Sequence, residues 1–139
     1  MTVAEYMELN GGHLSFQRIS EPRTKHTKLR IVVNKSDNPT DLLIFPHPDS
    51  KVETYQIDFE NYASYSVTYE VFTRCEYGEW VGDAARIHDQ SDYLKTIKET
   101  SLLPSEGLTH YSLICFEHVV DIISAFEPVI TRIDSNSIK

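Results

Sequence analysis

Tyr55-Gln56-Ile57-Asp58-Phe59 and Tyr65-Ser66-Val67-Thr68-Tyr69-Glu70-Val71 decide how this chain folds. In each stretch an apolar residue alternates with a polar one. A period of two places alternate side chains on opposite faces of an extended backbone, one face buried and the other wet. Antiparallel sheets carry that pattern, because one of their faces can remain in water. Glu60 to Ala63, between the two stretches, is short enough to close a hairpin, so the two are expected to pair.

Working outward, Leu14 to Ile19 follows the turn signal Asn10-Gly11-Gly12 and reads as a strand. Leu29 to Val33 reads likewise and ends in the loop Asn34-Lys35-Ser36-Asp37-Asn38-Pro39. Leu42 to Phe45 is apolar on both parities and stops at Pro46-His47-Pro48, which predicts a further strand. Trp80 to His88 is a weaker strand, interrupted by Gly82; Tyr111 to Phe116 is a central one; Val129 to Ile133 closes the domain. One helix is expected, from Asp92 to Thr100. Ser91 stands at its N-cap, Asp92 complements the positive end of its dipole, and Tyr93, Leu94 and Ile97 share a face. Glu117 to Phe126 fits two descriptions. Val119, Ile122, Ile123 and Phe126 have helical spacing, yet the β-branched run Val119-Val120-Asp121-Ile122-Ile123 suits a strand, which is favoured.

The expected fold is therefore mainly β (α+β): a curved or partly closed antiparallel sheet of about seven to nine strands with one short helix near residues 92–100. A flat two-layer α+β arrangement is the alternative. Residues 1–134 are expected to form a single domain and 135–139 a C-terminal tail. At 139 residues one core can form without disulfides or metal.

Composition narrows the function classes. With 40% apolar and 24% charged residues, the chain is globular rather than disordered. Two cysteines, Cys75 and Cys115, do not make a secreted disulfide framework, and each falls within an apolar stretch as a small hydrophobe. No signal-like or membrane-spanning apolar run is present, so a soluble cytoplasmic protein is expected, with no membrane association. The net charge of −8 argues against nucleic-acid binding. A local basic strip offers Arg23, Lys25 and Lys28 as candidate anion-binding residues.

No phosphate loop, dinucleotide fingerprint, nucleophile elbow or zincin signature occurs, and no catalytic residue is assigned. Neither a cofactor nor a metal site is expected. His110 and His118 sit at opposite ends of an extended segment, roughly 26 Å apart if it is unbroken, too far for a shared ion. His88 with Asp89 and Asp92 is an incomplete ligand set, since Asp92 is explained by the helix start. Four residues stand out as candidate binding residues. Tyr77 and Trp80 lie in the glycine-framed segment Tyr77-Gly78-Glu79-Trp80-Val81-Gly82, where an exposed aromatic would anchor a partner. Asp121 is flanked by apolar residues, so it is either a desolvated carboxylate in a pocket or the wet side of simple alternation. His110 opens the run His110-Tyr111-Ser112-Leu113-Ile114-Cys115-Phe116.

Three functional readings follow. An acidic binding module of the inhibitor or immunity type, acting on a protein partner, stands first. A small-ligand protein or enzyme with a pocket in the sheet, using Asp121, His110 or His88, stands second. A structural homo-oligomer paired through strand edges stands third.

Overall fold

A computed structural model of the chain describes residues 2–43, 52–69, 80–88, 90–101 and 107–133. Among these are nine strands and three short helices, in the order α1 (Thr2–Met7), β1 (His13–Ser20), β2 (Leu29–Ser36), α2 (Pro39–Leu43), β3 (Glu53–Phe59), β4 (Ser64–Tyr69), β5 (Trp80–Gly82), β6 (Ala85–His88), α3 (Asp92–Thr100), β7 (Thr109–Ile114), β8 (His118–Ser124) and β9 (Val129–Ile133). The strands form two antiparallel sheets, ordered β1-β2-β3-β9 and β4-β8-β7-β6-β5. Neither is closed or strongly curled.

The core lies between the sheets. Ile31, Val33, Ile57 and Phe59 enter it from the four-stranded sheet, and Tyr111, Leu113, Val120 and Ile122 from the five-stranded one. Each such fully buried aliphatic or aromatic side chain contributes about 1.5–3 kcal/mol relative to exposure. Tyr6 of α1 reaches into this core and donates from its hydroxyl to the Ser112 carbonyl at 2.6 Å. Burial pushes that phenol's pKa well above its ordinary value.

Three expectations are corrected. β3 and β4 do not pair: β3 lies between β2 and β9, and β4 pairs with β8. Residues 60–63 carry the chain from one sheet to the other, fastened by the Ala63 amide on the Ile123 carbonyl and by Ser124 Oγ on the Asn61 carbonyl. This crossing gives two layers in place of one curved sheet. Leu42 and Leu43 are helical, because Asn38 Oδ1 caps the Thr40 amide at 3.0 Å and Pro39 supplies a preset helical φ. Residues 44 and 45 of that expected strand lie outside the described residues. The basic segment before β2 is a loop as expected.

Helix α1 (Thr2–Met7) is a further departure, since only one helix was expected; other elements follow the sequence more closely. The stretch Glu117 to Phe126 contains a strand, β8, and α3 spans Asp92–Thr100 behind its Ser91 N-cap. Trp80 to His88 is a hairpin of two short strands. At its turn Gly82 has φ +101°, and a Cβ there would meet the Ala85 carbonyl oxygen at 2.0 Å. Asn10 braces the turn, accepting from the Asp83 and Ala85 amides and donating to the Ala85 carbonyl.

Candidate functional site

Strand parity sorts the five-stranded sheet into two faces. Tyr111, Leu113, Val120 and Ile122 point to the core, so His110, Ser112 and Asp121 point to the outer face. Register then aligns that face in cross-strand rows. One row is Trp80, His88, His110, Ile123 and Ser64; the next is Gly82, Arg86, Ser112, Asp121 and Ser66. Helix α3 packs against β7 and brings Ser91 and Tyr93 to the first row.

Polar groups meet at the centre of these rows. His110 Nε2 lies 2.7 Å from Asp121 Oδ1, which also accepts the Ser112 hydroxyl at 2.7 Å. His88 Nε2 is 2.8 Å from Ser112 Oγ, and Ser91 Oγ is 2.5 Å from His110 Nδ1. One proton arrangement satisfies all four bonds. His88 Nε2–H donates to Ser112, Ser112 and His110 Nε2–H donate to Asp121, and the Ser91 hydroxyl donates to His110 Nδ1 while accepting the Leu94 amide. A buried polar network that is fully satisfied rigidifies its surroundings; one missing partner would be costly.

The two imidazoles stack at 4.1 Å between centroids, and Tyr93 meets His110 edge-on at 5.3 Å. Burial, reinforced by the neighbouring His110, depresses the His88 pKa to about 4. His88 is therefore a neutral imidazole at neutral pH. The Tyr93 phenol, whose hydroxyl is 2.5 Å from Ser64 Oγ, is raised chiefly by burial.

Accessibility sets the direction of approach. His110 is fully buried, and Ser91 and Ser112 are buried, whereas the Asp121 side chain keeps 22% of its surface. Neither serine hydroxyl can meet a substrate in this conformation, so serine-nucleophile chemistry lacks the exposed oxygen it needs. Asp121 is the point where the network reaches solvent.

Of the residues singled out in the sequence, His110, Asp121 and His88 come together, and Trp80 flanks them. Its ring is 5.8 Å from that of His88, and Arg86 stands 4.6 Å over it. Trp80 is 39% exposed on edge strand β5, not on a loop. Asp121 satisfies neither simple alternative: it leaves the core, half-buried on the outer face, and accepts from two donors, His110 and Ser112. Tyr77, Cys75 and Asp89 lie outside the described residues. Arg23 and Lys25 are exposed, while Lys28 Nζ donates to the Thr24 carbonyl at 2.7 Å. His118 is remote from the cluster, stacked on Tyr69 and packed against Phe16. Cys115 is buried, which raises its thiol pKa to about 12. Residue type alone does not mark Ser112 and Ser91 as site residues. A hairpin turning at Phe116-Glu117 pairs 112 with 121 by residue number alone, and that was the available signal for Ser112.

No known family, curated protein or solved structure matches the chain. Fold and site together define a two-sheet antiparallel β domain bearing a helix-covered polar face. Among the described residues, no helix is long and apolar enough to cross a membrane.

Proposed function

We propose that the protein binds a small polar ligand on the outer face of the five-stranded sheet and handles a proton there through His110 and Asp121. The observation that carries this reading is convergence: His88, His110 and Asp121, from three adjacent strands, bring a polar atom each within 4.8 Å of one another. Side chains fixed on strands hold such a constellation more tightly than loops do. The ligand approaches Asp121, the accessible member, and presents a hydroxyl or amine donor to the carboxylate. His110, locked between Ser91 and Asp121, supplies the group through which a proton moves.

The test is a thermal-shift screen of small hydroxylated and amine-bearing metabolites against the wild-type chain and Asp121→Asn. Compounds that raise the melting temperature of the wild type and not of the variant support the reading. A screen in which no compound discriminates the two proteins sinks it.

A second reading, partner binding, has its own observation. Among the described residues β5 and β4 are the outer strands of their sheet; β5 exposes Trp80 and leaves Val81 61% exposed, and β4 exposes Val67. Such edges accept another strand by main-chain hydrogen bonding. The partner is a protein under the inhibitor-like reading and a second copy under the homo-oligomer reading. Val81→Lys should abolish a stoichiometric complex recovered from lysate, or a dimer seen by sedimentation. A monomer that captures nothing rejects both.

A further inference from the structure

We infer that His88 Nε2, His110 Nε2 and the Asp121 carboxylate are the ligands of a divalent transition-metal ion, zinc by preference, with a fourth position open toward solvent beside Asp121. This deepens the ligand-site reading and rests on it, since it uses the same side chains.

The donor set selects the ion. Two imidazole nitrogens and one carboxylate oxygen suit zinc and its first-row neighbours, whereas calcium and magnesium take oxygen shells. Three protein ligands with a vacant fourth position is the arrangement of zinc sites that bind a water or a substrate.

Geometry gives the second argument. All three donor atoms already address one point, the Ser112 hydroxyl. Ser112 Oγ lies 2.8 Å from His88 Nε2, 3.2 Å from His110 Nε2 and 2.7 Å from Asp121 Oδ1. An ion bound at about 2.0–2.1 Å in a tetrahedral shell would place its ligand atoms roughly 3.4 Å apart. The His110–Asp121 pair, now 2.7 Å apart, opens by a fraction of an ångström, and the widest separation, within 4.8 Å, closes by about 1.4 Å. Both changes require the stacked His88 and His110 rings, now 15° from parallel, to turn so that their Nε2 lone pairs converge on the ion. Ser112 rotates about its Cα–Cβ bond to vacate the centre.

An outer shell is also present. Metal-bound histidines engage the remote ring nitrogen in a hydrogen bond, which orients the ring and fixes its tautomer. His110 Nδ1 is 2.5 Å from Ser91 Oγ, and Ser91 is itself pinned as the N-cap of α3. When the ion displaces the Nε2 proton, His110 takes the other tautomer: Nδ1–H donates to Ser91 and the Nε2 lone pair is free for the ion. The expectation that the chain holds no metal rests on spacing along single segments; the hairpin β7–β8 brings together residues that no local spacing joins.

The experiment uses the full chain stripped with EDTA and titrated with Co2+ and then Zn2+. The expected result is one Co2+ per chain with visible d–d bands of tetrahedral strength and no thiolate charge-transfer band. Zn2+ displaces the Co2+ and raises the melting temperature, and Mg2+ does neither. Asp121→Asn, which keeps the side-chain shape, should weaken Zn2+ binding by at least about tenfold, the loss typical of removing even an outer-shell partner. His88→Gln should do the same. Replacing the exposed His26 with Gln should leave affinity unchanged. Absence of a one-equivalent site, or an affinity that Asp121→Asn leaves intact, overturns the inference. Small-molecule shifts recorded on the EDTA-stripped protein separate the two claims. If they persist without metal binding, the ligand site stands and the metal falls; if metal binds and no small molecule does, the reverse holds.

Discussion

Replacing Asp121 by Ala and by Asn should give two different losses of stability, and the difference measures the network. In the native protein one oxygen, Oδ1, accepts from the Ser112 hydroxyl and the buried His110 Nε2. Alanine removes the acceptor and strands both donors. Each stranded buried donor costs about 1–3 kcal/mol. Water reaches the Asp121 position, 22% exposed, so the total should fall near the lower half of that sum, about 2–4 kcal/mol. Asparagine keeps an oxygen where Oδ1 stands and turns its amide to the more open side. Both hydrogen bonds survive but lose their ionic character, worth about 0.5–1 kcal/mol each, so the cost is about 1–2 kcal/mol. Urea unfolding in the presence of EDTA, followed by the fluorescence of the single tryptophan and by circular dichroism, reads both values. An Asp121→Ala protein within about 0.5 kcal/mol of wild type, well below the cost of one orphaned donor, would mean that the network does not hold this face together.

Other consequences are as open to measurement. Tyr6→Phe deletes only the buried hydroxyl on the Ser112 carbonyl and should cost about 1 kcal/mol in the same urea experiment, with the slope unchanged. The Tyr62 phenol, hydrogen-bonded to Glu21, is raised to about 12. Its folded pKa exceeds the unfolded value near 10, so its share of stability is intact below pH ~10 and lost as pH rises toward 12. Ultraviolet titration should show this late-ionising tyrosine disappear in Glu21→Gln. In a Cys75→Ser background, Cys115 should resist a disulfide reagent at pH 8 and react only as fast as the protein unfolds, because burial holds its thiol pKa at about 12. Glu117 sits at φ +65° in the β7–β8 turn, so Glu117→Gly should raise stability by up to about 1 kcal/mol, observed as a higher urea midpoint.

Most of the strands are legible, Leu42–Phe45 being the exception, but the partners of β3 and β4 are not. Alternation at Tyr55 to Phe59 records which side chains are buried; it does not record what lies on either side of the backbone. That is why β3 could be placed beside β4 by proximity in sequence when it pairs with β2 and β9. The helix α3 was legible because its cap, its dipole charge and its apolar face all agree locally. α2 carried an equally local signal, Asn38 followed by Pro39, which the apolar pair Leu42-Leu43 overshadowed. At the site, His110 and Asp121 stood out by residue type, but His88 was grouped with its sequence neighbours. Its true companions are reached through hydrogen-bond register across β6, β7 and β8, which depends on where the turns fall.

The late arrival of β9 bears on how the protein is made. Residues 129–133 complete a sheet whose other strands end at residue 59, so during synthesis β3 waits with one ribbon of amides and carbonyls unsatisfied while some seventy residues are added. That interval is when a nascent molecule can zip onto another like itself. β9 thus closes this edge as well as completing the sheet, and a chain cut before residue 129 should aggregate more readily than the full chain.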